Sequence, residues 1–161
     1  MSDYKVPESA RVGHVHLKVS DIDLALSFYQ KLLGFKITQR YGKDAVFLAA
    51  GNYHHHIGLN TWYSKGETAA PQRAPGLFHS AFLYPERRDL AVILKRLMDA
   101  NYPITGAADH GVSEAIYLND PDGNGVELYW DKPMEVWPFD TAGNLQMGSE
   151  HLNLNELLSL V

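Results

Sequence analysis

The chain has no cysteine among its 161 residues. That excludes disulfides, thiolate nucleophiles and thiolate metal ligands, so a metal held here must be held by histidine and carboxylate. No run of apolar residues is long enough to span a bilayer, and the opening MSDYKVPESAR lacks the apolar segment of a secretory signal. Positive charge is not in excess either: 14 basic against 19 acidic side chains leave a formal charge of -5. No electrostatic footprint for nucleic acid is offered, and the expectations left are a small-molecule partner and a cytoplasmic location. What is present is a globular composition, 45% hydrophobic and 20% charged, in a length suited to one compact domain with a substantial core.

The sequence runs twice through one order of elements. In the first half RVGHVHLKV reads as a strand. A helix follows, with Ser20 and Asp23 as a capping box, Leu24, Phe28 and Leu32 at four-residue spacing, and Gly34 where a C-cap glycine belongs. Segments near 35–41, 45–50 and 53–62 then read as strands. The second half opens with the strand LFHSAFLY and a helix over 87–100 whose Leu90, Leu94 and Leu97 form one stripe. Segments near 104–107, 114–119 and 125–130 follow, the last two joined by the turn DPDGNG. Each half is β-α-β-β-β, spanning 11–63 and 75–132, with a polar linker at 64–74 and an N-terminal extension at 1–10. The tail, 133–161, ends in LNLNELLSLV, which predicts a short amphipathic helix covering the sheet or a partner subunit.

Seven of the eight histidines lie between residues 14 and 110, three of them adjacent in GNYHHHIGLNTW. Strand alternation there would put His55 on one face with Tyr53, Ile57 and Leu59, and His54, His56, Gly58, Asn60 and Trp62 on the other. The three could not then share one pocket. His14 and His79 fall at the same place in the two halves, on the first strand shortly before the helix. Glu127 lies in the apolar GVELYW, where a buried unpaired carboxylate would cost several kcal/mol. A cation would relieve that cost, and so would an edge position facing water. Each strand histidine taken singly also fits a satisfied core or surface residue; brought together, His14, His79 and Glu127 would supply the two-imidazole, one-carboxylate facial triad of non-heme Fe(II) sites.

These segments carry a family resemblance. GHVHLKVSDIDLALSFYQKLLGF resembles the opening of a vicinal oxygen chelate module and YLNDPDGNGVELYW its closing strands, so that the likeness covers about residues 11–132. The superfamily includes glyoxalase I, fosfomycin-resistance transferases, bleomycin-binding proteins and type I extradiol dioxygenases. YHHHIGLNTW, DHGVSEAIYLNDPDGNGVELYWDKP and EVWPFDTAGNLQM are similar to the catechol 2,3-dioxygenase branch. The resemblance implies an α+β fold in which two βαβββ modules form one open, barrel-like mixed sheet around a metal site. It implies His14, His79 and Glu127 as ligands of Fe(II), with Mn(II) compatible, and His16 as a pocket residue or alternative ligand. His55, through HHIG, takes the place of the catalytic histidine. Tyr117, ten residues before Glu127, takes that of the active-site tyrosine, and His110, in HGVS, that of a further substrate-facing histidine. Asn60 and Trp62 are expected as pocket walls.

Glyoxalase-type members use a fourth, carboxylate ligand, and residues 45–66 contain no Asp or Glu; the corresponding region is around Gly58. Three ligands on an octahedral ion leave room for two catechol oxygens and dioxygen, although His54 or His56 stays open as a fourth donor. The resemblance therefore implies an extradiol dioxygenase acting on a small aromatic diol and O2, with homo-oligomerisation left open. A glyoxalase-like or thiol-transferase metalloenzyme and a non-catalytic small-molecule binding protein are the competing readings.

Overall fold

The computed structural model describes residues 3–71 and 73–161, so Met1 and Ser2 of the expected N-terminal extension and Gln72 of the expected linker lie outside it. In the first half β1 (Val15–Lys18) leads to α1 (Ile22–Leu26), which continues as a π-helical segment (Ser27–Leu32), then β2 (Lys36–Tyr41), β3 (Ala45–Ala49) and β4 (Ile57–Asn60). The second half repeats the order as β5 (Ser80–Leu83), α2 (Arg87–Asp99), β6 (Ile104–Asp109), β7 (Ser113–Asn119) and β8 (Gly125–Asp131). Both halves pair alike: the first strand runs parallel to the last, β1 with β4 and β5 with β8, and the remaining neighbours are antiparallel. The sheet orders are β1-β4-β3-β2 and β5-β8-β7-β6-β9. Strand pairing does not continue from β1 to β5, so this α+β arrangement is two mixed sheets with an opening between their first strands.

The first helix starts and packs differently from its sequence pattern. Its N-cap is Asp21, whose carboxylate accepts from the Leu24 N–H at 2.8 Å, rather than Ser20. Ser20 is drawn away because its own N–H donates to Asp122 Oδ2 in the other half, at 3.1 Å. The buried face is Ile22, Ala25, Leu26, Phe28 and Tyr29, and Leu24 faces solvent. Ile22, Ala25, Leu26, Tyr29 and Leu33 recur at helical spacing on one face, which leaves Leu24 off it, and the Leu33 N–H closes a π-helical turn by donating to the Phe28 carbonyl at 2.9 Å. Gly34 ends the helix at φ +86°, a conformation that favours glycine. In α2 the expected stripe of Leu90, Leu94 and Leu97 is fully buried.

The two halves share one hydrophobic core, in which Phe28 and Tyr29 meet Leu97, Leu118 and Leu128. A buried polar contact pins it: Tyr29 donates to Asp120 Oδ2 at 2.9 Å, and the same carboxylate accepts from the Asp122 and Asn124 N–H groups and the Asn124 amide. Arg96 of α2 donates to the Lys31 and Leu32 carbonyls at the end of the first helix, covering acceptors that the helix leaves open. Beyond β8 the tail returns to the second sheet. β9 (Glu150–His151) adds to the β6 edge, α3 (Leu154–Leu158) lies on α2, and Leu152 and Leu157 are buried. Arg87 bridges Glu114 and Glu156 at 2.7 and 2.9 Å, tying α3 to the sheet. No described helix is long and apolar enough to cross a membrane.

Candidate active site

The second sheet brings four of the expected residues into one hydrogen-bonded array. Tyr117 and Glu127 are directly opposed in the antiparallel β7–β8 pair. His79, the residue before β5, lies beside Gly125 and diagonal to Glu127 on the same face, because Ser80 and Ala81 pair with Val126 and Glu127. The result is His79 Nε2 at 3.0 Å from Glu127 Oε2, and the Tyr117 hydroxyl donating to Glu127 Oε1 at 2.8 Å. His110 Nε2 meets the Tyr117 oxygen at 2.6 Å. Gly125 makes this approach feasible: a Cβ there would collide with the Phe78 carbonyl oxygen and crowd His79. Burial, followed by the hydrogen bond and charge of Glu127, raises the Tyr117 pKa, so the side chain stays a neutral phenol at physiological pH.

His110 is held by a tight hairpin between β6 and β7. Gly111 turns at φ +80°, and its N–H donates to Asp109 Oδ1 at 2.8 Å. Burial opposes ionisation of Asp109, but the Lys132 ammonium at 2.6 Å, the Gly111 N–H and the nearby His110 outweigh it and hold the carboxyl below its usual range.

The first sheet gathers the other histidines. β4 begins at Ile57, so His54 and His55 sit in the bend before it and the alternation expected over 53–62 does not reach them. His55 does not share the buried Ile57 face. Its ring lies 4.4 Å from that of His14 and 5.1 Å from that of Phe47. His54 and His55 are hydrogen-bonded through Nδ1 atoms 2.7 Å apart, and the Tyr53 ring lies against those of His54 and His56. His56 Nδ1 accepts from the Ala50 N–H at 3.2 Å, a supporting contact. Burial first, then the imidazoles of His14, His54, His16 and His56, lower the His55 pKa. His16 is lowered as well, by burial and by His14.

His16 packs over Gly58, where a Cβ would meet its ring at 2.9 Å, and against Phe47 and Trp62 at 5.8 and 5.7 Å. The space that a side chain at position 58 would fill is therefore taken by an imidazole. Trp62 is half exposed beside it. Asn60 is buried and accepts from the Trp62 N–H at 3.2 Å, so its amide oxygen serves the turn after β4.

Two of the three expected ligands meet and the third does not. Among the described residues no three His, Asp or Glu side chains are grouped closely enough to hold a metal ion. His14, the residue before β1, stands with His55 on the opposing sheet, and the physical reason is the opening between β1 and β5. His14 and His79 both face it, lining a cavity of about 910 Å³ together with His56, Phe82 and Tyr129. The donor types suit a divalent ion. Two donors on adjacent positions of an octahedral ion, each roughly 2.1 Å from it, lie roughly 3.0 Å apart, the separation of His79 and Glu127. Sequence reasoning missed the tail contact at His110, where Nδ1 lies 2.7 Å from the Gly148 carbonyl oxygen; no local pattern signals it.

The paired βαβββ halves and this histidine- and carboxylate-bearing face agree with the family model that matches residues 11–128, and the chain belongs to the Glyoxalase/Bleomycin resistance protein/Dioxygenase superfamily. Most members of that superfamily are metalloenzymes. The chain is 34% identical over 154 residues to a catechol-2,3-dioxygenase of Bacillus subtilis, an alignment covering 95% of this chain and 53% of the relative. It thus spans about half the length of that dioxygenase. It is 27% identical over 150 residues to the metallothiol transferase FosB of Bacillus licheniformis, covering 90% of this chain and 88% of the relative. The fold is similar to that of a crystal structure of a glyoxalase/dioxygenase from Nostoc punctiforme, with a TM-score of 0.66 at 16% identity over 83% of this chain and 99% of the other.

Proposed function

We propose that the chain is an Fe(II)-dependent extradiol dioxygenase that opens an aromatic diol with O2, with His79, Glu127 and His14 as the metal's protein donors. The observation that carries this reading is the linked array of His79, Glu127, Tyr117 and His110. Similarity to the B. subtilis catechol-2,3-dioxygenase over 95% of the chain supports it. So does the content of the Gly58 site, filled by His16 rather than by a further carboxylate.

A bound ferrous ion would supply the Lewis acidity and electron exchange through which a diol and dioxygen react. The chain's own groups do the rest. Glu127 divides its oxygens between His79 and Tyr117, so one carboxylate serves both the metal position and the phenol. Tyr117, protonated at neutral pH, offers a hydrogen bond to an oxygen beside Glu127. His55 takes and returns the diol proton. A neutral imidazole positioned for that transfer is worth about 10²- to 10⁴-fold in rate. His16, Phe47 and Trp62 present aromatic faces suited to a planar ring.

The test is to load the protein with Fe(II) under anaerobic conditions, add a panel of catechols and then oxygen, and follow O2 uptake together with a yellow ring-fission product. Stoichiometric uptake with colour is expected. The FosB likeness, which spans most of that shorter relative, favours a second reading as a thiol transferase or glyoxalase-like metalloenzyme. No uptake with any catechol, alongside turnover of a hemithioacetal, would establish that second reading.

A further inference from the structure

The tail crosses the hairpin that carries His110, and one residue of it, Gly148, touches His110 twice. The Gly148 N–H donates to the His110 carbonyl at 3.1 Å, and the Gly148 carbonyl oxygen lies 2.7 Å from His110 Nδ1. The segment is anchored on both sides of this contact. Upstream, the Gln146 N–H donates to the Pro138 carbonyl at 2.8 Å; downstream, Glu150 and His151 pair with Asp109 and Ala108 of β6.

A peptide oxygen can only accept, so its bond to Nδ1 requires a proton on Nδ1 in every state of the ring. In the neutral ring Nε2 is then bare, and the group it faces at 2.6 Å is the Tyr117 hydroxyl. Tyr117 has one proton and two acceptors for it, Glu127 Oε1 and His110 Nε2. Without the tail, the ring could equally carry its proton on Nε2 and would then donate to Tyr117, leaving Glu127 as the phenol's sole acceptor.

We propose that Gly148 is a positioning residue of the active site: its peptide group locks His110 in the Nδ1–H tautomer, which leaves Nε2 bare as a second acceptor, beside Glu127, for the Tyr117 proton. The segment around it is in this sense part of the site, and its bearing on turnover rests on the dioxygenase reading above. A substitution can separate the clamp from simple bulk. No atom lies within 4 Å of a Cβ built on Gly148, and its φ is not positive, so Gly148→Ala fits and keeps both peptide contacts. Gly148→Pro removes the N–H whose bond to the His110 carbonyl anchors the segment, so the Gly148 carbonyl oxygen, though retained, is no longer held on Nδ1.

The experiment records long-range ¹H–¹⁵N spectra of the ¹⁵N-labelled full chain without added metal. The pH is about two units above the usual imidazole pKa of about 6.5, where the ring is neutral. The His110 signals are assigned by their loss in His110→Asn. The wild type and Gly148→Ala are expected to show Nδ1–H with a bare Nε2, and Gly148→Pro a mixture of both tautomers. With Fe(II) and a catechol, Gly148→Pro is expected to lower kcat roughly tenfold or more with KM little changed. A wild-type ring protonated on Nε2 overturns the proposal, even if Gly148→Pro fails to fold. So does a folded Gly148→Pro whose Nδ1–H proton has lost the low-field shift of its bond to the carbonyl while the ring keeps Nδ1–H alone. If the wild type turns over no catechol, the dioxygenase reading fails while the tautomer still decides the clamp.

Discussion

At the residue scale, the site depends on where single atoms can approach. Gly125 faces His79 so closely that Gly125→Ala must push β5 away from β8. Such overpacking costs about 1–3 kcal/mol, seen as a lowered unfolding midpoint, and widens the His79–Glu127 gap, seen as weaker metal binding by titration. An unchanged midpoint and affinity would show that the β5 lead is free to move. On the proposed reading His55 serves proton transfer rather than the metal: His55→Ala should retain the ion yet lose about 10²- to 10⁴-fold in ring-cleaving rate, and an unaltered rate removes it from the mechanism. That His79, Tyr117 and Glu127 meet, and His14 and His55 meet, involves residues the sequence singled out by motif position. Their other contacts were not legible there. The hydrogen bond between His54 and His55 and the two contacts of Gly148 depend on a bend and a chain crossing that period-2 or period-3.6 patterns do not encode.

At the element scale, the first helix shows how a tertiary contact corrects a local pattern. Its buried face is that of Ile22, Ala25, Leu26 and Tyr29, fixed by the shared core and by the Tyr29–Asp120 bond, which joins the halves. Removing that hydroxyl by Tyr29→Phe should destabilise the protein by about 1.5–3 kcal/mol, the usual worth of a bond to a charged group. It should also change the alkaline behaviour. Burial, followed by the charge and hydrogen bond of Asp120, raises the Tyr29 pKa well above its ordinary value of about 10. Above that value the unfolded state loses the phenolic proton while the folded state keeps it, so the unfolded state binds fewer protons and stability falls as pH rises. This contribution is complete below pH of about 10. Denaturation midpoints of the wild type should therefore drop more steeply above pH 10 than those of Tyr29→Phe, and parallel curves would contradict the assignment. Strand β4 makes the same point: the apolar Ile57 and Leu59 fix the strand, but its start at Ile57 is set by pairing with β1 and β3.

At the scale of the whole molecule, the two sheets share a core but, among the described residues, not a continuous run of strand pairing, and the proposed ligands are divided across the opening. If His14 completes the set formed by His79 and Glu127, a divalent ion bridges the halves and binds the folded state alone. At 100 times its dissociation constant it should add about 2.7 kcal/mol, or roughly 5–10 °C in melting temperature for a chain of this size. His79→Ala and Glu127→Ala should abolish the shift. His14→Ala should weaken it, and an affinity unaffected by His14→Ala would remove that residue from the metal. The sequence by itself determined the duplicated βαβββ order and the superfamily, because periodicity, turn residues and motif spacing are local properties. The tertiary structure alone decided which donors meet, how far apart the first strands stand and that the tail reaches His110. Those outcomes depend on packing between segments dozens of residues apart, which no local pattern records.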